Sequence, residues 1–405
     1  MKKILLLTLL FAGVLTPSEG RDTEPRSKKT SIITGADQTE KYLPYLKGKR
    51  VGLVVNQTSI IGHRHSVDSL KALGVNIVKI FGPEHGFRGN ASAGVHVDDE
   101  RDPKTGIQVV SLYGKNSKPS KESLQDVDLM VFDIQDVGAR FYTYTITMHR
   151  VMEACAENGK ELLILDRPNP NGYLIDGPVL NPDLKSGIGI HPVPIAHGMT
   201  VGEYAKMING EKWLANGVQC KITIIPVANY SHHLPYELPV SPSPNLNTPE
   251  SIILYPSTCL FEGTVISQGR GTYTPFTVLG NPELKGKYPF SFTPKSIKGM
   301  SETPLHMNKE CFGLNLRSEE VVAALRKSGK INLSWMMELY AAYPDKERFF
   351  DFTQSKEMGN IDKLAGVKEF REQIIAGVSE KEIRKSWKKG LSKYKSIRKK
   401  YLLYK

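Results

Sequence analysis

Cysteine is scarce in this chain, and its spacing excludes several classes of protein. The 405 residues include four cysteines, Cys155, Cys220, Cys259 and Cys311, with no CxxC pair and no histidine at zinc-ligand spacing. This pattern excludes a disulfide scaffold and a structural zinc site. One disulfide is compatible with an oxidising compartment, although Cys155, on an apolar helix face, has the setting of a buried free thiol.

Apolar runs long enough to span a bilayer are also missing. The stretch ILLLTLLFAGVL at residues 4–15 follows Lys2 and Lys3 and is too short for a mature membrane helix. We predict a signal peptide over residues 1–20 and an exported protein, periplasmic or extracellular after cleavage, without stable membrane insertion. No cysteine lies near the cleavage region, which disfavours a lipoprotein anchor; a retained N-terminal anchor is the alternative.

Nucleotide-binding and nucleophile motifs are absent as well. The glycine-rich SQGRGT at residues 267–272 lacks the Gly-Lys-Ser/Thr of a phosphate-binding loop. There is no dinucleotide fingerprint and no nucleophile elbow. His63 and His65 have no carboxylate beside them at a ligand spacing, so we expect no metal and no cofactor.

The charge is basic, with a formal net charge of +12 and a pI near 9.3. Much of the excess lies at the C-terminus, in KEIRKSWKKGLSKYKSIRKKYLLYK. Such a balance suits nucleic acid, an anionic envelope polymer or a membrane surface. An exported protein makes nucleic acid the least favoured partner, and a solvated helix face is the simplest interpretation. Protein partners are not indicated.

Short apolar runs alternate with helical stretches from Lys49 to about residue 228. The predicted strands are RVGLVVNQ, VNIVKIFG, IQVVSLYG, DLMVFDIQ, ELLILDRP and CKITIIPV. The stretches HSVDSLKALG, SKESLQDV, TYTITMHRVMEACAENG and TVGEYAKMINGEKWL are predicted helices. This alternation predicts an α/β fold with a doubly wound, mainly parallel sheet. Residues 228–292, rich in Pro, Ser, Thr and Gly, predict irregular and β structure, and the remainder predicts helices.

Polar side chains follow the ends of the predicted strands. Asn56, Glu84-His85, Asp133 and Asp166 each come at or just after a strand. Because the carboxyl ends of parallel strands share one edge of a sheet, we expect these residues to line a common crevice. Glu84 lies in a sharply bending, glycine-rich loop, which suits a general acid or base.

Several of these residues also fit purely structural roles. Asp166 could form a turn, and Asp133 with Asp136 could brace Arg140 as a structural ion pair. Later in the chain, His191 and His197 precede a helix that begins near Thr200. The stretch LFEGTVISQGRGTYTPF presents Glu262 and Arg270 among glycines. A hairpin within SQGRGT would deliver Arg270 and Thr272, and arginine is the natural partner of a carboxylate.

This inventory fits acid–base hydrolysis of a polar substrate such as a sugar. Three alternatives stay open on the residues alone. The first is a non-catalytic exported receptor for anionic sugars, which the family resemblance given below would make a receptor for muropeptides. The second is an amidase or esterase, which would need a metal or an activated Ser or Cys. The third is an envelope interaction protein anchored by the basic C-terminal helix.

Several long motifs resemble one family. They are GPEHGFRG, FDIQDVGARFYTY, LDRPNPNG, DGPVL, HPVPIAHGMTVGEYA, SPSPNLNT, EGTVISQGRGT and RKKYLLY. The chain is similar from about Thr34 to Lys405 to the NamZ-type exo-β-N-acetylmuramidases, glycoside hydrolase family 171, formerly a domain of unknown function. The resemblance implies release of N-acetylmuramic acid from the non-reducing end of peptidoglycan fragments. It also implies a Rossmann-like domain at 31–228, a smaller α+β domain at 229–405, and an active-site cleft between them.

The resemblance also suggests roles. Glu84 would be the general acid, His85 would orient it, and either Glu262 or Asp133 would be the second carboxylate. Arg140 and Arg270 would bind the lactyl carboxylate of the sugar. The remaining expected substrate-binding residues are Tyr142, Asp166, Asn169, His191, His197, Asn245 and Asn56. Retention, inversion and attack by the sugar's own acetamido group all remain open.

Overall fold

Residues 31–84, 86–88, 100–351 and 360–404 are described by the computed structural model. The predicted signal peptide and His85 lie outside these ranges. Among the helices of the described residues, none combines the length and apolarity needed to cross a membrane.

Strands occur in both halves of the described chain. In chain order they are β1 (Val51–Val55), β2 (Ile60–Ile61), β3 (Arg64–His65), β4 (Ile77–Gly82), β5 (Glu100–Arg101), β6 (Gln108–Ser111), β7 (Leu129–Asp133), β8 (Glu161–Leu165), β9 (Asp176–Val179), β10 (Pro194–Ala196), β11 (Lys221–Ile225), β12 (Val278–Asn281), β13 (Phe290–Phe292) and β14 (Cys311–Asn315).

The α-helices alternate with strands in the first half and dominate the end of the chain. They are α1 (Thr39–Leu46), α2 (Ser66–Ala72), α3 (Tyr144–Glu157), α4 (Val201–Gly210), α5 (Pro249–Thr258), α6 (Glu319–Ser328), α7 (Ser334–Ala342), α8 (Ile361–Ala365), α9 (Glu369–Ile375) and α10 (Glu380–Arg398).

The main sheet is mostly parallel and confirms the predicted fold class. Its strand order is β11-β8-β7-β1-β4-β6-β5, and every pair is parallel except the edge pair β5–β6. The central strands β1 and β7 are buried along their whole length, which explains their continuous apolar sequences. All six predicted strands are present, each slightly shorter than its apolar run.

Helices cover both faces of this sheet. Leu53 and Val131 belong to a core shared with α1 and α2, whereas Val54 and Phe132 belong to a second core shared with α3 and α4. Successive strand residues point to opposite faces, so one apolar run serves both cores. The parallel arrangement then places the loops after β1, β4 and β7 along one edge.

A smaller second domain follows, built on an antiparallel sheet. Its strand order is β12-β14-β13. The helix α10 returns to the first part of the chain, where Tyr394 donates a hydrogen bond to the carbonyl of His197 at 2.6 Å. Trp387 and Tyr394 are buried, so the aromatic stripe of α10 makes core contacts, as its spacing predicts.

Two predicted elements differ in the structure. SKESLQDV, residues 120–127, forms consecutive turns instead of a helix. The Ser120 hydroxyl accepts the backbone N–H of Ser123, whose own hydroxyl bonds back to the Ser120 carbonyl, so side chains compete with the helix ladder. Conversely, α5 lies inside the stretch predicted to be irregular.

The cysteines form no disulfide. Cys155, Cys220, Cys259 and Cys311 are all described, buried and free.

Candidate active site

A pocket lies beyond the carboxyl ends of β4 and β7, and it gathers five of the residues expected from sequence. It encloses about 690 Å³ of space, its open mouth included. The predicted residues on its wall are Glu84, Tyr142, Asn245, Glu262 and Arg270. Residues more than 180 positions apart in the chain therefore meet at one place, which is the arrangement expected of a site at the edge of a parallel sheet.

Glu84 reaches the pocket directly from the main sheet. It lies two residues after β4, behind Pro83, and its side chain is half-buried. Its negative charge acts on the hydroxyl of Tyr144, another residue of the pocket wall. Because Glu84 follows a buried strand by only two residues, the sheet sets the position from which its carboxyl group enters the pocket, as acid–base chemistry requires. His85, expected to orient Glu84, lies outside the described residues.

Glu262 and Arg270, from the C-terminal half of the chain, form an ion pair on the pocket wall. Arg270 Nε donates to Glu262 Oε1 at 2.7 Å, and Gln268 Nε2 donates to the same oxygen at 3.0 Å. The Cys259 thiol lies 3.7 Å from Oε2. Burial opposes the charge of Arg270, but the Glu262 carboxylate more than offsets this, so the pKa of Arg270 lies above its ordinary value. Both charged side chains are therefore held in place inside the pocket.

The backbone of SQGRGT explains why Arg270 sits between glycines. Gly269 and Gly271 have φ of +82° and +80°. A Cβ on Gly269 would lie 2.9 Å from the Thr274 carbonyl oxygen, and one on Gly271 would lie 2.6 Å from that of Lys295. Only glycine adopts this conformation in so little space. The resulting turn presents Arg270 to the pocket, with its guanidinium 5.0 Å from the ring centre of Phe276.

An aromatic wall closes one side of the pocket. The rings of Tyr142 and Tyr144 meet edge to face at 5.0 Å, and Tyr142 meets Tyr255 in the same way at 6.0 Å. Tyr142 donates its hydroxyl to the Pro242 carbonyl at 2.7 Å, which fixes its ring. The wall thus offers a rigid apolar surface of the kind that sugar rings pack against.

Asp133, the other candidate for the second carboxylate, is engaged elsewhere. It is 1% exposed, and its Oδ1 accepts Arg167 Nε at 2.6 Å in a buried ion pair. Arg167 also donates to the Ile60 carbonyl at 2.9 Å. Asp133 is not part of the pocket wall. Of the two candidates for the second carboxylate, the pocket contains Glu262.

We expect Asp133→Asn to destabilise the protein. Loss of the carboxylate leaves the buried Arg167 charge unpaired, and breaking a buried pair in this way costs about 3–5 kcal/mol. Urea unfolding of the variant and the parent protein measures this directly. A change below about 1 kcal/mol, with turnover lost, would instead favour a catalytic role for Asp133.

Arg140 is also placed away from the pocket. Its guanidinium donates to the carbonyls of Pro178, Val193 and Leu364 at 2.8–3.0 Å, and its side chain is fully buried. Burial lowers the pKa of Arg140 to about 10. Three carbonyls occupy its terminal nitrogens, so Arg140 joins segments of the fold, and of the two arginines expected to bind a lactyl carboxylate only Arg270 faces the pocket.

Asp166 anchors the start of α4 instead of lining the pocket. Its carboxylate accepts Thr200 Oγ1 at 2.7 Å and the Gly202 N–H at 2.8 Å, and it is also bonded by the Tyr404 hydroxyl. Complete burial outweighs these donors and raises the pKa of Asp166 to about 6. This residue therefore ties the sheet, the helix and the C-terminus together.

The raised pKa of Asp166 predicts a pH-dependent stability. The folded protein binds the proton more tightly than the unfolded chain, so the stabilising contribution is complete below about pH 4 and is lost as pH rises through about 6. Relative to Asp166→Asn, the wild-type free energy of unfolding should fall by about 2 kcal/mol between pH 4 and pH 7. Denaturant titrations of both proteins across this range test the prediction. A difference that stays constant or grows in favour of the wild type would contradict it.

Asn169 and His191, two further residues expected to bind the substrate, are hydrogen-bonded to other residues of the protein. Asn169 donates to the Met199 carbonyl at 2.9 Å. His191 lies between His149 and Tyr204 at 2.9 and 3.1 Å, and burial holds its pKa well below the ordinary value.

His197 and Asn56 are likewise buried outside the pocket wall. His197 Nδ1 accepts the Met199 N–H at 3.3 Å. Asn56 Oδ1 accepts the Thr58 N–H at 2.9 Å. These two side chains therefore have structural partners close to the strand ends where the sequence places them.

Sequence reasoning missed several residues of the wall. They are Phe141, Thr143, Tyr144, Ile188, Ser243, Leu246, Tyr255, Cys259, Phe276 and Leu364. Tyr144 fits the apolar face of α3, so its spacing in the sequence predicts a core residue. The capping pattern Thr248-Pro249 does mark the start of α5, which carries Tyr255.

Two family models together match most of the chain. The model described as exo-β-N-acetylmuramidase NamZ, N-terminal, matches residues 51–250, and the one described as exo-β-N-acetylmuramidase NamZ, C-terminal, matches residues 253–404. The chain belongs to the NamZ family. The resemblance expected from the motifs is thus confirmed, and so is the class of protein, a glycosidase.

Individual NamZ relatives match along nearly the whole chain. The peptidoglycan β-N-acetylmuramidase NamZ of Bacillus subtilis (strain 168) is 38% identical over 414 residues, which cover 98% of this chain and 97% of that protein. A crystal structure of a DUF1343 family protein from Bacteroides fragilis NCTC 9343 has a TM-score of 0.84 at 46% identity, covering 93% of this chain and 99% of that one. A second protein of that description from the same strain has a TM-score of 0.78 at 33% identity, with coverage of 92% and 99%.

Proposed function

We propose that this protein is an exo-acting glycoside hydrolase that releases N-acetylmuramic acid from the non-reducing end of peptidoglycan fragments. The observation that carries the proposal is the pocket of a NamZ-family chain in which Glu84 shares a wall with the Glu262–Arg270 ion pair. Two carboxyl groups suit glycoside hydrolysis, and a half-buried cation suits a sugar acid.

Glu84 is the general acid in this proposal. Its proton passes to the glycosidic oxygen as the bond from that oxygen to C1 of the sugar breaks. Water then supplies the hydroxyl that C1 gains, and the remaining proton of the water restores the Glu84 acid over the whole reaction. Glu84 lies two residues beyond the end of β4, and it shares the pocket with Glu262, which is held by three neighbouring groups.

Glu262 is the second carboxylate. It belongs to the short helical turn Cys259–Gly263 that follows α5, and its Oε1 is shared by Arg270 and Gln268. A carboxylate fixed in this way stabilises the positive charge that develops at C1 in the transition state.

Arg270 recognises the lactyl carboxylate that distinguishes muramic acid from glucosamine. Its Nε is taken by Glu262, and no hydrogen bond joins its terminal nitrogens to other described residues. These nitrogens form the outer edge of the guanidinium fork, which matches a carboxylate in a bidentate manner.

The natural substrate and compartment follow from the same proposal. A fragment that begins with N-acetylmuramic acid linked to N-acetylglucosamine places the muramic sugar in the pocket and the second sugar at its mouth. The apolar leader expected at residues 1–20 supports action outside the cytoplasm, where such fragments arise.

The experiment that tests the function compares two chromogenic substrates. The purified protein is incubated with the para-nitrophenyl β-glycoside of N-acetylmuramic acid and, separately, with that of N-acetylglucosamine. We expect rapid release of nitrophenol from the muramic glycoside and release at least about tenfold slower from the other. Equal rates would contradict recognition of the lactyl group, and no release from either would contradict the function.

A further inference from the structure

Two buried polar atoms on the pocket wall have no hydrogen-bond partner among the described residues. They are the hydroxyl of Tyr144 and Oδ1 of Asn245. Tyr144 is 3% exposed and Asn245 is 2% exposed. Buried polar atoms are nearly always paired in native proteins, so two unpaired atoms on the wall of one pocket indicate a ligand that pairs with them.

Tyr144 offers a well-fixed hydroxyl that can donate a hydrogen bond. It is the first residue of α3, and its ring is held edge to face against Tyr142. The Asn56 amide and the Tyr142 hydroxyl lie near it, but neither makes a hydrogen bond of ordinary geometry to it. Burial raises the pKa of Tyr144 and the charge of Glu84 acts in the same direction, so the hydroxyl keeps its proton.

Asn245 presents an acceptor. Its Nδ2 donates to the Met300 carbonyl at 2.9 Å, and this contact settles which way the amide is turned. The carbonyl oxygen is therefore the unpaired atom of the side chain. It is fixed in position because the other half of the amide is already bonded.

One donor and one acceptor are the complement of a secondary amide, which has one C=O and one N–H. We propose that Tyr144 and Asn245 together recognise the 2-acetamido group of the sugar, with Tyr144 donating to its carbonyl oxygen and Asn245 Oδ1 accepting its N–H. The apolar side chains of Leu246, Tyr255 and Phe276 on the same wall suit the acetyl methyl group. In muramic acid the acetamido group is on the carbon next to the one that carries the lactyl ether. Arg270 would therefore bind one of two neighbouring substituents, and Tyr144 with Asn245 would bind the other.

This inference rests on the proposed function, and a binding experiment separates the two. Calorimetric titrations measure the affinity for N-acetylmuramic acid and for 3-O-lactylglucose, which has a hydroxyl in place of the acetamido group. The wild-type protein should bind the first about 100-fold more tightly, since two hydrogen bonds contribute about tenfold each. Tyr144→Phe and Asn245→Leu should each reduce this ratio about tenfold, chiefly by weakening the binding of N-acetylmuramic acid.

Tyr204→Phe is the matched control, because it removes a buried hydroxyl that bonds to His191 outside the pocket. It should leave the affinity ratio unchanged. Equal wild-type affinity for the two sugars would overturn the acetamido assignment without affecting the proposed function. An unchanged affinity ratio in Tyr144→Phe would do the same. Failure of the wild type to bind either lactyl sugar would overturn the proposed function as well.

Discussion

Glu84→Gln is expected to lower kcat for the nitrophenyl muramic glycoside by about 10²–10⁴-fold. The glutamine side chain has nearly the same shape as glutamate but cannot give an acidic proton to the leaving oxygen. The bond-breaking step is therefore slowed while the shape of the pocket is unchanged. The affinity for N-acetylmuramic acid, measured by calorimetry, should stay within about threefold of the wild-type value, because the product needs no proton from residue 84.

The leaving group distinguishes an acid from a residue that only shapes the pocket. A dinitrophenyl glycoside departs without protonation, so the loss caused by Glu84→Gln should shrink to about tenfold or less with this substrate. Glu237→Gln, a change at an exposed carboxyl outside the pocket, should leave both rates unaltered. An equal loss with both leaving groups would mean that Glu84 is not the general acid.

The second large effect is expected at Arg270. Arg270→Met should reduce the preference for the muramic over the glucosamine glycoside by about 10–100-fold in kcat/KM, the usual value of a charged hydrogen bond. The loss should fall on the muramic substrate, because only that sugar carries the carboxylate. Since Arg270 also pairs with Glu262, the double variant Arg270→Met, Glu262→Gln shows whether an unpaired Glu262 charge adds to the effect.

Arg140 provides the comparison for this prediction. Arg140→Met removes three hydrogen bonds to backbone carbonyls and should lower stability, but the substrate preference of the folded protein should be unchanged. If Arg140→Met narrows the preference and Arg270→Met does not, the assignment of the lactyl site is wrong.

The fold and part of the site follow from sequence because they depend on local patterns. Continuous apolar runs such as β7 predict buried parallel strands, and parallel strands place the loop of Glu84 at a known edge. The glycines around Arg270 likewise indicate a tight turn whose function is to present one side chain. These features need no knowledge of which distant segments meet.

The remainder depends on contacts that no local pattern contains. Asp133 and Asp166 stand at strand ends as Glu84 does, yet one is paired with Arg167 and the other caps α4. The sequence suggests either Asp133 and Asp136 or a substrate carboxylate as the partner of Arg140, but in the structure the carbonyls of residues 178, 193 and 364 surround its guanidinium. The position of a charged residue at a strand end predicts that it lies near the edge of the sheet. Whether its side chain faces a substrate depends on whether other residues of the fold already bind it.

The helix α5 illustrates a different kind of failure. Its start at Thr248-Pro249 has the expected capping chemistry, but the surrounding Pro, Ser and Thr content favours irregular structure. Pro256 even lies within the helix. Buried packing of Leu254 and Tyr255 stabilises the helix against this composition, and Tyr255 thereby reaches the pocket.

A crystal structure of Glu84→Gln with the disaccharide of N-acetylmuramic acid β-linked to N-acetylglucosamine would decide whether these dispersed residues form one muramidase site. Our account predicts the glycosidic oxygen within about 3.2 Å of the residue 84 amide and the lactyl carboxylate on the terminal nitrogens of Arg270. A disaccharide bound elsewhere, or bound here with residue 84 turned away from that oxygen, would contradict it.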